Sequence, residues 1–463
     1  MSLRRLLEPR SVAVVGASAR RGSVGNTIVK QLASRFRGRV YPVNPKYDVV
    51  EGLKCYPSLL DIPDDVDIVV IAVAAHRVPR IMSDACRKGA SIAIIVSGGF
   101  SEVGGEGRKL EEQVKSIARS CGIRVIGPNC IGVLDNASGL DTFFLPEERM
   151  ARPRRGPLSF VSQSGALLSV WLDKLARMGV GVSKAISYGN AADVNESDLL
   201  EVLGEDEETR TVAVYIEGVK DGRRFMSVIK SLVSKGKSVV VLKGGRTWTG
   251  ARAVSSHTAS LAGSYEVYRA ALRQCGAVVV EDQRTLLNTA IALSLLGPRS
   301  IKRLLIVTDA GGQGVLAADY ADRLGFRVDP LPEEARRRLE KLPPHYVKVN
   351  PVDLTGDSDD EKYRFVLEQL LPLGVADAVL VITSPMPPAR SGRVVDYVIE
   401  AWREYGIPIV TVVTGSGSVA DEWRRRLIAG GVPAYETPEE ALLALAGVRE
   451  AYRLGSRLRA LKA

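Results

Sequence analysis

The sequence predicts an α/β protein of three consecutive doubly wound units, the first Rossmann-like and the next two flavodoxin-like. Three observations carry this reading. Short apolar runs alternate with amphipathic stretches along nearly the whole chain. The runs are continuously apolar, as in strands buried on both faces of a parallel sheet. Several of them end in small-residue turns that open a helix. At 463 residues the chain exceeds one core, and about 100–200 residues per domain gives three.

In the first unit, strands are expected over 11–15, 39–43, 67–73, 91–96 and 124–126, with helices over 24–34, 78–88 and 106–120. Strands of the second are expected over 158–161, 182–187, 211–216, 238–242 and 277–280. The third opens with a strand over 304–307 running into Ala310-Gly311-Gly312, and continues with strands over 378–382 and 409–413. This repeat of strand, small-residue turn and helix reads as an internal duplication of the second unit. The expected domains are 1–130, 157–297 and 301–463, with a Pro/Arg-rich linker over 131–156.

Composition narrows the function. Hydrophobic residues at 46% and charged residues at 25% suit a globular protein, and no run reaches the ~18 apolar residues that span a bilayer. The first residues carry no apolar stretch of signal-peptide length, so a cytoplasmic protein is expected. Five scattered cysteines (55, 86, 121, 130, 275) form no CxxC pair and read as free thiols. Sixty-three basic against 53 acidic side chains give +10, which favours anionic ligands such as coenzyme phosphates. The charges are interleaved, aromatics are only 6% and no nucleic-acid motif appears. Neither nucleic acid nor membrane is an expected partner.

In an open α/β sheet, ligands gather at the carboxyl ends of the strands. The first strand ends in Gly16-Ala17-Ser18-Ala19-Arg20-Arg21-Gly22-Ser23-Val24-Gly25, where glycines let backbone N–H groups approach a phosphate. It is not GxGxxG. The second strand ends in Asn44-Pro45-Lys46, with no acid for a ribose hydroxyl. Both points disfavour an NAD-dependent oxidoreductase and favour a phosphorylated ribose or diphosphate. In the second unit, 158–161 runs into Ser162-Gln163-Ser164-Gly165-Ala166 and a helix, and 211–216 ends at Glu217.

His257 is one of three histidines and sits in Ser255-Ser256-His257-Thr258-Ala259-Ser260, after a Gly/Thr/Arg-rich run, 243–252. The lack of apolar periodicity reads as a long mobile loop between a strand and a helix. His76 and His345 read as structural. A neutral histidine can carry a phosphoryl group on a ring nitrogen. It then needs a carboxylate on its other nitrogen, a role open to Glu217, and an anion site, open to the backbone at Ser164, Gly165 and Ala166. The topology would bring these three pieces to one edge.

Taken in order, the Gly16–Asn26 loop, Asn44-Pro45-Lys46, Gly127-Pro128-Asn129, Ser162-Gln163-Ser164-Gly165, Ser187-Tyr188-Gly189-Asn190, Glu217-Gly218 and Ser256-His257-Thr258 resemble the alpha subunit of ADP-forming (NDP-forming) acyl-CoA synthetases of the acetate–CoA ligase type. These are relatives of the succinyl-CoA synthetase alpha subunit. The likeness covers essentially the whole chain, including Ala310-Gly311-Gly312 and Asn350-Pro351-Val352-Asp353. It implies coenzyme A on Gly16, Ser18, Arg20, Gly25 and Asn129, with Lys46 near the nucleotide end and Ser97 and Gly98 along the pantetheine arm. It implies phosphate at Ser162, Gln163, Ser164, Gly165, Ala166 and Asn190, His257 as the phosphorylated histidine, and Glu217 as its steadying carboxylate. It implies no metal on this chain. Acyl-CoA and phosphate would give an acyl phosphate, then phosphohistidine, then ATP from ADP.

No G-x-x-x-x-G-K loop and no fourth unit are present, so nucleotide and Mg²⁺ are expected on an ATP-grasp beta subunit, in an α2β2 complex. The rival readings are a non-catalytic CoA-binding scaffold and a plain succinyl-CoA synthetase-like alpha subunit. A protein acetyltransferase would need a further domain.

Overall fold

The computed structural model describes residues 3–258 and 264–460, with backbone alone at 255–258. The chain divides into two compact units, 1–177 with 181–281, and 178–180 with 282–463.

The first unit opens with five parallel strands: β1 (Ser11–Val15), β2 (Arg39–Val43), β3 (Ile68–Ile71), β4 (Ile92–Ile95) and β5 (Arg124–Ile126). Their order is β2-β1-β3-β4-β5. Every residue of β1, β3 and β4 is buried, which is why these runs read as unbroken apolar segments. Helices α1 (Val24–Arg35), α2 (Val78–Lys88) and α3 (Gly105–Cys121) connect them. The strand order reverses between β1 and β3, so successive crossovers leave in opposite directions and open a crevice there.

A second sheet of the same unit contains β6 (Val133–Asp135), β7 (Leu140–Asp141), β8 (Leu158–Ser162), β9 (Val182–Ser187), β10 (Thr211–Ile216), β11 (Ser238–Lys243) and β12 (Val278–Val280). The order is β12-β11-β10-β8-β9-β6-β7. Its parallel part repeats the first sheet's order, with the switch point between β8 and β10. Its helices are α4 (Gly165–Met178), α5 (Glu196–Glu205), α6 (Gly222–Ser234), α7 (Trp248–Thr258) and α8 (Tyr265–Gln274).

Four expectations are corrected. The segment 131–156 is not a linker: β6 pairs antiparallel with β9 and β7 with β6. Behind these strands the fully buried Arg152 donates to Asp141 (2.7 Å) and to Gln31 of α1 (2.7 Å), fastening the first sheet's layer to the second's. Second, 248–258 is helical rather than loop; it contains Ala251, Ala253 and Val254 and no proline, and Thr247 Oγ1 accepts the Gly250 N–H at its start (3.1 Å). The rest of the expected loop, 259–263, lies outside the described residues. Third, Cys86 of α2 and Cys121 of α3 are joined by a disulfide, while Cys55, Cys130 and Cys275 are free and buried. The two helices pack side by side, which brings together thiols 35 residues apart.

The fourth correction concerns the expected end of the second domain at 297, a range that takes in the helix α9 (Gln283–Leu296). This helix belongs to the other unit, where it packs on the long helix Pro438–Ala460. Ten of its fourteen residues are buried, too many for a helix with one covered face. That unit holds β13 (Leu304–Thr308), β14 (Val347–Lys348), β15 (Val352–Asp353), β16 (Ala378–Thr383), β17 (Ile409–Val413) and β18 (Ala434–Tyr435). They follow the order β14-β15-β13-β16-β17-β18. The expected duplication is visible in β13 and the helix α10 (Gly311–Arg323) that follows it. At this switch point Asp309 accepts from the Ser384 N–H (3.0 Å) and from the fully buried Arg390 (3.0 Å), so the gap is bridged by protein. No helix among the described residues is long and apolar enough to cross a membrane.

Candidate active site

At the first switch point lies a cleft of about 1020 Å³ whose walls include Gly16, Ser18, Arg20, Gly25 and Lys46. The glycines are there for closeness. Gly16 has φ +93°, and a Cβ on it would sit 2.3 Å from the Ala72 carbonyl; a Cβ on Gly25 would sit 2.0 Å from the Gly16 carbonyl. The loop is therefore drawn against β3 and the start of α1, with the first-turn N–H groups of α1 facing the cleft. Asn44, just after β2, donates to the Ala17 carbonyl (2.6 Å), and Asn26 donates to the Ser18 carbonyl (2.9 Å). Ser18 Oγ accepts the Arg20 N–H (3.1 Å). Arg20 and Lys46 are joined by His76, Arg77 and Arg80 on the α2 side, against one acid, Asp84. A long cleft lined by five basic side chains and an amide-rich loop fits a polyphosphate such as coenzyme A. Sequence reasoning missed Arg77 and Arg80 because they follow β3 in an ordinary helix start.

Ser97, Gly98 and Asn129 do not line this cleft. They stand one and two strands further along the same edge. Ser97 Oγ donates to the Val73 carbonyl (2.5 Å), and the Asn129 N–H donates to the Ser97 carbonyl (2.9 Å).

The second switch point gathers the other predicted residues. Register places Ser162 of β8 beside Tyr215 of β10, so the turn after β8 and Glu217 after β10 are neighbours. Gln163 is the link: its N–H donates to the Tyr215 carbonyl (3.1 Å), and its Oε1 accepts the Glu217 N–H (2.8 Å). Ser162 Oγ donates to the Ser164 carbonyl (2.7 Å), and Ser164 Oγ accepts the Leu167 N–H (3.3 Å), so both hydroxyls shape the turn. Gly165 begins α4 against Ile131; a Cβ there would lie 2.5 Å from that side chain. The N–H groups of Gly165 and Ala166 lie in the first turn of a fourteen-residue helix, where backbone amides have no intrahelical acceptor.

Glu217 is 5% exposed and accepts from the Tyr215 hydroxyl (3.3 Å). Burial, with Glu217 beside it, raises the Tyr215 pKa. Burial lowers that of Lys243, which Glu217 partly offsets. Tyr268 of α8 stacks on Lys243 (4.9 Å) and accepts the Val219 N–H (3.1 Å), fixing the loop after Glu217. Behind this edge burial pushes Glu196 up to about 7. Tyr215, Lys243 and Glu196 were not anticipated; strand residues and a helix start give no sequence signal of this kind.

Asn190 is placed differently from the expectation of a phosphate ligand. Its side-chain NH₂ donates to Glu102 Oε2 (2.6 Å) and Glu111 Oε2 (3.0 Å), and its carbonyl oxygen accepts from Asn129 (3.4 Å). It stitches the two sheets' edges together. The backbone of His257 lies in the last turn of α7, about 14 Å along the axis from Trp248; its side chain lies outside the described residues. The helix leaves the same edge four residues after β11 and rests against the turn Ser101–Val103. The structure thus joins α4 and Glu217, and sets Ser97, Gly98, Asn129 and Asn190 where the first and second sheets meet. His76 lies in the cleft, and His345 is beside Asp357 (3.2 Å).

Three family models match in series: a CoA-binding domain over residues 10–136, a succinyl-CoA ligase-like flavodoxin domain over 155–293, and a ligase-CoA domain over 304–459. The fold and site thus define a chain of the succinyl-CoA ligase class. The chain is 39% identical to the acetate–CoA ligase [ADP-forming] I subunit alpha of Pyrococcus furiosus, covering 97% of both chains. It is 41% identical over 96% of its length to the acetate–CoA ligase [ADP-forming] I of Archaeoglobus fulgidus, of which it spans 63%. A solved structure from Ca. Korarchaeum cryptofilum, a dinucleotide-forming acetyl-coenzyme A synthetase 1 in complex with phosphate and ADP, superposes with a TM-score of 0.91 at 33% identity, covering 100% and 99% of the two chains. The chain belongs to the family of ADP-forming acetate–CoA ligases, and corresponds to their alpha subunit.

Proposed function

We propose that this chain is the alpha subunit of an ADP-forming acyl-CoA synthetase, interconverting acyl-CoA, ADP and phosphate with a carboxylic acid, CoA and ATP. The observation that carries the reading is the second switch point, where a buried Glu217 is fixed beside the α4 N-terminus at the edge that also launches the histidine helix.

A phosphate oxygen attacks the thioester carbonyl; the C–S bond breaks, CoA leaves as the thiol, and an acyl phosphate forms. A ring nitrogen of His257 then attacks phosphorus and releases the carboxylate. The terminal phosphate oxygen of ADP takes the phosphoryl group, giving ATP and free histidine. The α4 amides hold the phosphate against its charge, and Glu217 orients the imidazole and supports its positive charge once phosphorylated. The cleft at the first switch point anchors CoA through Arg20 and Lys46, with its thiol end directed toward Ser97, Gly98 and Asn129. ADP and Mg²⁺ bind an ATP-grasp beta subunit in an α2β2 assembly in the cytoplasm.

The chain mixed with its nucleotide-binding partner is expected to make ATP from acetyl-CoA, phosphate and ADP, and neither component alone is expected to do so. ATP made by the purified chain alone would overturn the division of labour. Arg20→Ala and Lys46→Ala are each expected to weaken CoA binding about tenfold, one charge-assisted contact apiece, measured by calorimetric titration of CoA with NAD as control. Equal affinity of the two variants and the parent would remove the cleft from the CoA site.

A further inference from the structure

One carboxylate at the junction of the two sheets has three simultaneous tasks. Glu102 Oε1 accepts the N–H groups of Gly99 (2.6 Å) and Phe100 (3.1 Å), closing the turn that begins with Ser97 and Gly98. Its Oε2 accepts from Asn190 (2.6 Å), in the loop that follows β9. It also sits within Ser101–Val103, the turn against which α7 rests. Burial would raise its pKa, but the bonds from Asn190 and from the Gly99 and Phe100 amides outweigh that and hold it below the usual carboxylate range.

The surroundings are built to match. Glu111 accepts from Ser101 Oγ (2.6 Å) and shares the Asn190 amide (3.0 Å). Lys115 lies 3.5 Å from Glu111, and Lys220 donates to the Ala191 carbonyl (2.8 Å). Gly189 has φ +52°, and a Cβ on it would lie 2.3 Å from the Pro128 carbonyl, so the two turns approach as closely as backbones allow.

We infer that Glu102 is a positioning residue for acyl transfer: its carboxylate, bonded to Asn190, holds the turn at the thiol end of the CoA site in register with the phosphate edge of the second sheet. This rests on the reaction proposed above. It concerns the step in which CoA and acyl phosphate meet, since misplacement by about 1 Å between two reacting groups costs up to ~100-fold. It does not concern charging of His257 by ATP.

Glu102→Gln separates the tasks. The retained amide oxygen still caps Gly99 and Phe100, while the new NH₂ faces the NH₂ of Asn190 and cannot accept from it. In the assembled complex, His257 charged by Mg-ATP is given acetate and CoA, and acetyl-CoA formation is followed. Glu102→Gln and Asn190→Ala are each expected to slow acetyl-CoA formation tenfold or more in kcat, with KM for CoA changed less than about threefold and charging at the parental rate. The double variant is expected to be no slower than the worse single one, because both break the same bond.

Acetyl-CoA formation at the parental rate would overturn the inference, as would a raised KM with kcat retained, which is the mark of a simple loop cap. Strictly additive losses would also overturn it. A parent enzyme whose histidine is never charged would instead defeat the proposed reaction.

Discussion

His257→Ala is expected to abolish ATP formation by the assembled complex, by at least about a thousandfold, and to remove its acid-labile phosphoryl label. A nucleophile that carries the transferred group has no partial substitute, and His76 lines the cleft of the first sheet instead. The label is read by phosphopeptide mapping under alkaline conditions after exposure to Mg-ATP. CoA affinity is expected to be unchanged, because α7 follows β11 and none of its described side chains lines the cleft of the first sheet. A variant that keeps its label would move the phosphoryl carrier elsewhere. An unlabelled parent, with its partner bound and competent for nucleotide, would favour a CoA-binding scaffold.

The expectation for His257 came from composition, and its strength came from topology. A parallel strand buried on both faces writes itself into sequence as an unbroken apolar run. That is why β1, β2, β5, β9 and β10 were read to the residue, and why Glu217 and the turn at Ser164 could be assigned to one edge. Strands of two and three residues carry no such pattern, so β6 and β7 disappeared into a Pro/Arg-rich stretch. Helix α7 was hidden by Gly, Thr and Arg in the run before it, because a helix with little buried face has little periodicity to show.

Side-chain partners were the least legible part. Asn190 was read as a phosphate ligand, and its bonds to Glu102 and Glu111, 88 and 79 residues away, leave no local pattern to read. Glu102 itself follows a Gly-Gly turn as many acids do, and nothing local marks it as the contact between two sheets. The disulfide of Cys86 and Cys121 depends on how α2 meets α3, which spacing alone cannot supply.

The second large effect is on stability. Lys184 of β9 is 3% exposed, with its ammonium 3.0 Å from Asp206 and 3.3 Å from Asp135. Lys184 and Asp135 are also register partners across β9 and β6. Lys184→Met removes the cation and leaves two buried carboxylates facing one another, at a cost of about 3–5 kcal/mol. Burial would raise the pKa of Asp206, but its bonds from Thr209 and Lys184, with the Lys184 charge, bring it below the ordinary value. The sign follows from that depression. The stabilisation is complete above the unfolded carboxylate pKa of about 3.9 and fades as pH falls through the lower folded value. Denaturant midpoints of parent and variant are therefore expected to differ most at pH 7 and to converge toward pH 4, as the variant's carboxylates take up protons. Adding Asp135→Asn and Asp206→Asn to Lys184→Met is expected to recover part of the loss. A pH-independent deficit would assign it to packing of the lysine stem instead. The consequence reaches the site because β6 continues from Asn129 and β9 runs into Asn190. Loosening this pair slackens the junction that Glu102 holds, so acyl transfer is expected to fail in the variant at lower denaturant than CoA binding does.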